Sequence, residues 1–314
     1  MKGQASEQIF ERPAKMSYTN FLSMSFDMVN IRVGDPAVDI PVYKDLICSA
    51  APYFNGAFNK RFKEANERSI TLDEVSERTF RAFLHWAYIQ SQPTSSTNID
   101  FSLVDHAHLS LPDDNNDTGT SRLAFDEYRA RPWVNKEVFS HLNDSWLANF
   151  GDVVRQFLYL YIFADKYCVD QLRDDAITAL CGVSVASNWW LDPVVDIIYK
   201  AYEKLPRSNA FDRFLLESFA YIWSPQEWTE SQLDTLKDLH PQFLADWGLL
   251  QTMRLDKKYP NETLPKKSRE SLINSCKFHE HKALDESQCR ERLAKNAHIF
   301  LGLLEACKRK DRSQ

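Results

Sequence analysis

The residues with the most specific chemistry lie near the end of the chain. Cys276, His279, His281 and Cys289 place two thiols and two imidazoles within fourteen positions. Thiolate and imidazole are ligands that zinc prefers, and a metal ion would stabilise a short segment that has little core of its own. Because protein side chains would fill all four places of a tetrahedral site, the pattern predicts a structural zinc and no hydrolytic chemistry.

The same four residues are also compatible with polar surface side chains and two free thiols. Two histidines separated by one residue reach a single metal ion only from an extended or turning backbone. The run His279-Glu280-His281 therefore lacks the spacing of a helical metalloprotease site. The sequence also has no Gly-x-Ser-x-Gly elbow and no phosphate-binding glycine loop. We therefore expect a protein that is not an enzyme.

The segment from Phe26 to Gln90 contains the elements with the clearest periodicity. Alternating apolar residues predict a two-stranded hairpin around Gly34-Asp35-Pro36: Val29, Ile31, Val33, Val38, Ile40 and Val42. Pro52 fits the first turn of a short helix, and Ser76 can cap a longer one. The core-facing stripe of that longer helix consists of Phe80, Phe83, Leu84, Ala87 and Tyr88.

The order and spacing of these elements resemble the BTB/POZ domain, in the form common in filamentous fungal proteins. The runs that carry the resemblance are 31–34, 42–48, 53–54, 58, 62–65, 70–72 and 80–88. The dipeptide Tyr43-Lys44 stands where that family usually has His-Lys. The resemblance implies an α+β fold, a small mixed sheet flanked by helices, that is specialised for protein–protein contact. It gives no catalytic or cofactor-binding residue to carry over.

A second part of the resemblance follows after a gap. The run 164–169, with Leu172 and Ala176, resembles the paired C-terminal helices of the same fold. The polar runs between about 91 and 150 cannot bury enough surface to offset the entropy of ordering, so we interpret this segment as a long insertion. The predicted BTB/POZ domain is therefore 26–182. Cys168 and Cys181 are expected to be small buried side chains.

The rest of the chain divides into three segments. Residues 1–25 are expected to form a flexible arm, which either exchanges between two copies or packs nowhere, so dimerisation stays open. Apolar periodicity predicts an all-α region with a helical C-terminal domain at 190–253. Residues 254–314 form a basic tail that carries the Cys/His cluster and a terminal helix.

Charge is distributed unevenly along the chain. The formal net charge is −6, yet residues 254–314 carry 15 basic and 9 acidic side chains, whereas residues 151–253 carry 8 and 15. An acidic chain is a poor general nucleic-acid binder, because phosphate affinity comes from clustered positive charge. The polar N-terminus and the short apolar runs predict no secretory signal and no membrane span. We therefore expect a protein of the cytoplasm or the nucleus.

These observations favour a non-enzymatic adaptor or scaffold. The resemblance implies protein partners: another copy of the chain, a cullin-3-type ubiquitin ligase scaffold, or a client protein. The alternative is a nuclear regulatory protein whose basic Cys/His tail contacts nucleic acid. A complex that depends on phosphate contacts weakens steeply as salt rises, whereas apolar protein binding does not, so the salt dependence separates the two hypotheses.

Overall fold

The structure is a computed structural model of the whole chain. It describes residues 25–91, 120–122, 150–187, 189–191, 194–221 and 229–255, together with the single residues Phe278, Arg292 and Asn296.

A small mixed sheet begins the fold. Its strands are β1 (Met28–Val33), β2 (Val38–Tyr43) and β3 (Ser69–Leu72), in the order β2-β1-β3. Strand β1 pairs antiparallel with β2, where Ile31 lies opposite Ile40, and parallel with β3, where Ile31 lies opposite Ile70. These isoleucines are buried, and the alternate residues of each strand face outward, as the sequence pattern predicts. Gly34 turns the hairpin with φ of +83°, a conformation that favours glycine.

Four helices pack beside this sheet: α1 (Lys44–Ala50), α2 (Pro52–Asn59), α3 (Lys63–Glu67) and α4 (Glu77–Gln90). Pro52 occupies the first turn of α2, and Ser76 caps α4 by accepting a hydrogen bond from the Thr79 backbone amide at 3.1 Å. Phe54 and Phe58, four positions apart on α2, are buried. Tyr88 contradicts the predicted core stripe because 48% of it is exposed; the core at this end of α4 contains Trp86 and Ile89 instead.

Two long helices complete this core: α5 (Phe150–Lys166) and α6 (Asp170–Ser187). Helix α5 packs against α4, with the rings of Phe83 and Phe163 centred 4.8 Å apart. Residues on both sides of the predicted insertion therefore share one hydrophobic core. From within that segment, β4 (Thr120–Arg122) pairs antiparallel with β5 (Trp189–Leu191). The domain bounds stay a prediction.

A helical region follows: α7 (Val195–Lys204), α8 (Ala210–Tyr221), α9 (Glu230–Asp234), a 3₁₀ turn (Thr235–Asp238) and α10 (Pro241–Leu255). It packs directly on the first core, since the rings of Tyr161 and Phe211 are centred 5.4 Å apart and Arg155 pairs with Asp196 at 2.8 Å. The predicted fold class, a small mixed sheet flanked by helices and then a helical region, is confirmed. Among the helices in the described ranges, none is both long and apolar enough to cross a membrane.

Candidate protein-interaction surfaces and buried polar sites

The first exposed apolar group lies at one end of the sheet. Phe26 is 71% exposed, and its ring stands edge-on to Tyr43 with centroids 6.3 Å apart. Met28 is also exposed and pairs with Tyr43 across the β1–β2 ladder. We call Phe26, Met28 and Tyr43 the sheet-end surface. In the sequence, Phe26 directly follows the predicted N-terminal arm, residues 1–25.

The second exposed group is formed by α2 and α3. Phe62, which precedes the first residue of α3, is 53% exposed, and Tyr53 on α2 is 41% exposed. The Tyr53 ring packs on the buried Tyr167 with centroids 4.8 Å apart, which fixes its position. Burial raises the pKa of Tyr53, and the negative charge of Glu64 raises it further, so Glu64 lies near the phenol. We call Tyr53, Phe62 and Glu64 the α2–α3 surface.

Asp175 on α6 forms the most elaborate buried polar site. Only 6% of this residue is exposed. From the same core, Trp86 Nε1 donates to its Oδ2 at 2.8 Å, and Gln171 Nε2 donates to its Oδ1 at 3.2 Å. Both donors are neutral, whereas an ionised carboxylate removed from water needs a positive charge beside it.

That positive charge comes from the C-terminal tail. Arg292 donates from Nε to Oδ1 of Asp175 at 2.9 Å and from Nη2 to Oδ2 at 2.6 Å. Asn296, four positions later and also helical, donates from Nδ2 to Oδ2 at 2.8 Å. Its Oδ1 accepts from Gln90 Nε2 at 2.7 Å. We call Trp86, Gln90, Gln171 and Asp175 the Asp175 site.

A second buried carboxylate lies in the helical region. Asp212 on α8 accepts a hydrogen bond from Asn209 Nδ2, and its backbone amide donates back to Asn209 Oδ1 at 2.9 Å. Its other oxygen is buried with no hydrogen-bond partner among the described residues. Burial raises the pKa of Asp212 to about 7, the Asn209 hydrogen bond opposes that rise, and the negative charge of Asp246 adds to it.

The predicted zinc ligands Cys276, His279, His281 and Cys289 lie outside the described residues. Phe278, within that run, is fully buried and stands edge-on to Phe214 of α8 with ring centroids 5.7 Å apart. Within the described ranges, no group of three or more histidine, cysteine, aspartate or glutamate residues is arranged to hold a metal ion. The zinc site therefore stays a prediction.

The two cysteines that were expected to be buried differ. Cys181 is fully buried, and burial raises the pKa of its thiol. Cys168 is exposed, so that prediction is wrong. It lies beyond the last residue of α5 with φ of +58°, a left-handed conformation that ends the helix, so helical periodicity does not apply to its side chain.

Sequence reasoning did not find the Asp175 site. One signal was available: Asp174-Asp175 directly precedes the apolar stretch of α6 that begins with Ala176 and Ile177. A carboxylate at a buried helix position requires a partner. The identity of that partner was not readable, because Arg292 is 117 residues away along the chain.

Comparison with known proteins bears on these surfaces. The family model of the BTB/POZ domain matches residues 22–115. The chain contains a BTB/POZ domain. The matched residues include the sheet, α1 to α4 and both exposed surfaces. The match does not address the predicted fungal type.

One curated protein is similar to part of the chain. The chain is similar to Kelch-like protein 38 of Rattus norvegicus, with 24% identity over 80 residues. The similarity covers 26% of this chain and 14% of that protein, so the chain matches only a small part of that protein's length. No solved structure matches the chain.

Proposed function

We propose that this chain is a non-enzymatic adaptor whose BTB/POZ domain binds a protein partner through the α2–α3 surface. The observation that carries the proposal is the exposure of Phe62 on a fixed helical frame. Aromatic side chains that are held rigidly supply most of the binding energy at many interfaces. Because α2, α3 and the packed Tyr53 ring hold the frame, little side-chain entropy is lost on binding.

The charges around Phe62 indicate the chemistry of the partner. Lys60, Arg61 and Lys63 are exposed neighbours of Phe62 in the sequence. A partner that offers an apolar pocket with an acidic rim would complement this arrangement. The finer proposal is a cullin-3-type ubiquitin ligase scaffold, which the likeness to BTB/POZ proteins supports. The chain would then hold a client near the ligase by raising its effective concentration.

The test is a binding titration of the intact chain against the N-terminal region of a cullin-3-type scaffold. Phe62→Ala should weaken the complex by about tenfold or more, because one buried anchor is lost. Phe26→Ala is the matched control, since it removes a more exposed aromatic residue from another surface. Equal affinity of Phe62→Ala and the unmodified chain would refute this use of the surface.

The salt dependence of binding tests the nucleic-acid alternative. Because an apolar anchor carries the binding and only a few rim charges add to it, we expect affinity to fall modestly between low and moderate salt, far less than for a complex held by phosphate contacts. If the intact chain instead binds nucleic acid with a steep loss of affinity as salt rises, the tail would be the binding element and the adaptor proposal would fail. Residence in the cytoplasm or the nucleus is part of both proposals.

The sheet-end surface supports self-association as a second partner proposal. Phe26 directly follows the N-terminal arm in the sequence, and the arm would cover the exposed rings by exchange between two copies. Light scattering of the intact chain across a concentration series measures the mass. The replacement of both Phe26 and Tyr43 by alanine should shift a dimer to the monomer, whereas Phe62→Ala should not.

The predicted zinc site has its own test. Elemental analysis of the purified intact chain should find about one zinc per chain, because four ligands fill one tetrahedral site. Cys276→Ser should lose that metal. Equal zinc content in both proteins would refute the predicted ligand set.

A further inference from the structure

The Asp175 site binds two side chains of the tail through hydrogen bonds that suit those residue types. Arg292 meets both carboxylate oxygens of Asp175, as its planar guanidinium allows and a lysine ammonium does not. Both polar atoms of the Asn296 amide are hydrogen-bonded, because its nitrogen donates to Asp175 and its oxygen accepts from Gln90. Arg292 Nη2 also lies 3.4 Å from Gln90 Oε1.

The spacing of the two tail residues matches a helix. Residues four apart lie on the same face of a helix, one turn from each other. Arg292 and Asn296 are both helical, and their spacing of four positions suits the presentation of the guanidinium and the amide on one face. Asn296 and Trp86 are completely buried, and Gln90 is 6% exposed, so the docked turn excludes water from the site.

Residues of the domain core hold the side chains of the Asp175 site. Trp86 is held by stacking on Phe83, with ring centroids 6.4 Å apart, and Phe83 packs on Phe163 of α5. Gln171 lies one turn before Asp175 on α6 and donates to it. The carboxylate is therefore held by residues of the domain core, and the tail supplies the charge that balances it and one further hydrogen bond from Asn296.

We propose that the face of α4 and α6 around Asp175 is a docking site for a helix that carries arginine and asparagine four residues apart. The chain's own Arg292–Asn296 turn is its occupant. The charges of the two regions agree with this assignment, since residues 254–314 are net basic and residues 151–253 are net acidic. Phe278 docks on Phe214 as a second anchor, so the tail contacts both the BTB/POZ core and the helical region.

The test uses the intact chain and a labelled peptide of residues 284–304 as the probe. A variant in which Arg292 and Asn296 are both alanine keeps the docking site but lacks its occupant. This variant should bind the peptide, and the unmodified chain should bind it at least about tenfold more weakly, because its own tail competes at high effective concentration. Adding Asp175→Asn to the variant should abolish binding.

Two outcomes overturn the proposal. One is the absence of peptide binding to the emptied variant; the other is equal binding by the variant and the unmodified chain. A peptide with alanine in place of both Arg292 and Asn296 controls for nonspecific binding. It should not bind any of the three proteins.

A second test measures amide hydrogen exchange in the single variant Asn296→Ala, which should not have a large folding defect. This variant retains the contact between Arg292 and Asp175. Exchange of the amides around Arg292 should become roughly tenfold faster, while exchange in β1 and β2 stays unchanged. Arg32→Ala, which removes an exposed ion pair on the sheet, is the control. Unchanged exchange of the tail in Asn296→Ala would refute the role of Asn296 as a recognised side chain.

Discussion

Asp175 on α6 and Asp212 on α8 are equally buried, at 6% exposure each, yet their surroundings differ. Asp175 accepts two hydrogen bonds from the Arg292 guanidinium and others from neutral donors. Asp212 accepts one from the neutral Asn209, and its second oxygen has no partner among the described residues. Burial raises the pKa of Asp212 to about 7. The contrast teaches that two carboxylates of equal burial can differ in what surrounds their charge: Asp175 has a fixed cation beside it, whereas Asp212 has a neutral donor and the negative charge of Asp246.

The two carboxylates therefore make opposite contributions to the fold. A buried charge with a cation and full hydrogen bonding holds distant segments together, and losing one partner is costly. A buried carboxylate without a cation is itself unfavourable when ionised. The same substitution, aspartate to asparagine, should consequently have opposite effects at the two positions.

Asp175→Asn should destabilise the protein, and its effect should be the larger of the two. The amide keeps the shape but loses the charge that pairs with Arg292, and its NH₂ group faces donors such as Trp86 Nε1. We expect the free energy of unfolding to fall by about 3 kcal/mol. Urea unfolding at neutral pH, followed by tryptophan fluorescence, measures it. A midpoint equal to that of the unmodified chain would remove the basis of the comparison.

Asp212→Asn should stabilise the protein at pH 8. Ionised Asp212 is a buried charge that the negative charge of Asp246 repels, and the amide removes both the charge and the repulsion. We expect a gain of about 2 kcal/mol in the free energy of unfolding. A loss of stability at pH 8 would show that the carboxylate has a cationic partner in the intact chain.

The pH dependence of the free energy of unfolding provides a second test of the predicted effect of Asp212→Asn. The folded pKa of Asp212, about 7, lies above its ordinary value of 3.8, so the folded state holds this proton more tightly. The stabilisation that the protonated Asp212 carboxyl contributes to the folded state is fully present below about pH 3.8 and is lost as pH rises to about 7. The difference in stability between Asp212→Asn and the unmodified chain should therefore grow over this window and level off above it.

Arg292→Lys sharpens the comparison at the Asp175 site. Lysine keeps the positive charge but cannot place two parallel N–H groups against both carboxylate oxygens. We expect a loss of about 1 kcal/mol in the free energy of unfolding, smaller than for Asp175→Asn. If the lysine variant were as unstable as Asp175→Asn, the two-point geometry of the guanidinium, and not its charge, would dominate.

The parts of the fold that were predictable from sequence depend on neighbouring residues. The hairpin, the Ser76 cap and the position of Pro52 in the first turn of α2 follow from patterns within a few positions, and all are confirmed. Tyr88 was placed wrongly because it lies at the edge of a helical stripe, where periodicity does not decide between core and solvent.

The buried polar sites were not predictable for the opposite reason. Trp86 is 89 residues from Asp175, and Arg292 is 117 residues from it, so no local pattern connects them. Asp212 follows Asn209 by three positions, and that reciprocal cap is readable. Its raised pKa is not readable, because it depends on Asp246 of α10 and on the packing around it.

Arg32→Ala is expected to have the smallest effect and tests whether burial matters at all. Arg32 donates from Nε and Nη2 to the two oxygens of Asp39 at 2.9 and 3.1 Å, the same two-point geometry that Arg292 makes with Asp175. The hydrogen bond from Arg32 lowers the pKa of Asp39, but both side chains are more than half exposed. Water replaces such a pair at little cost, so the urea midpoint should not change measurably. If Arg32→Ala destabilised the chain as much as Arg292→Ala, pairing geometry rather than the removal of water would explain why the tail is held.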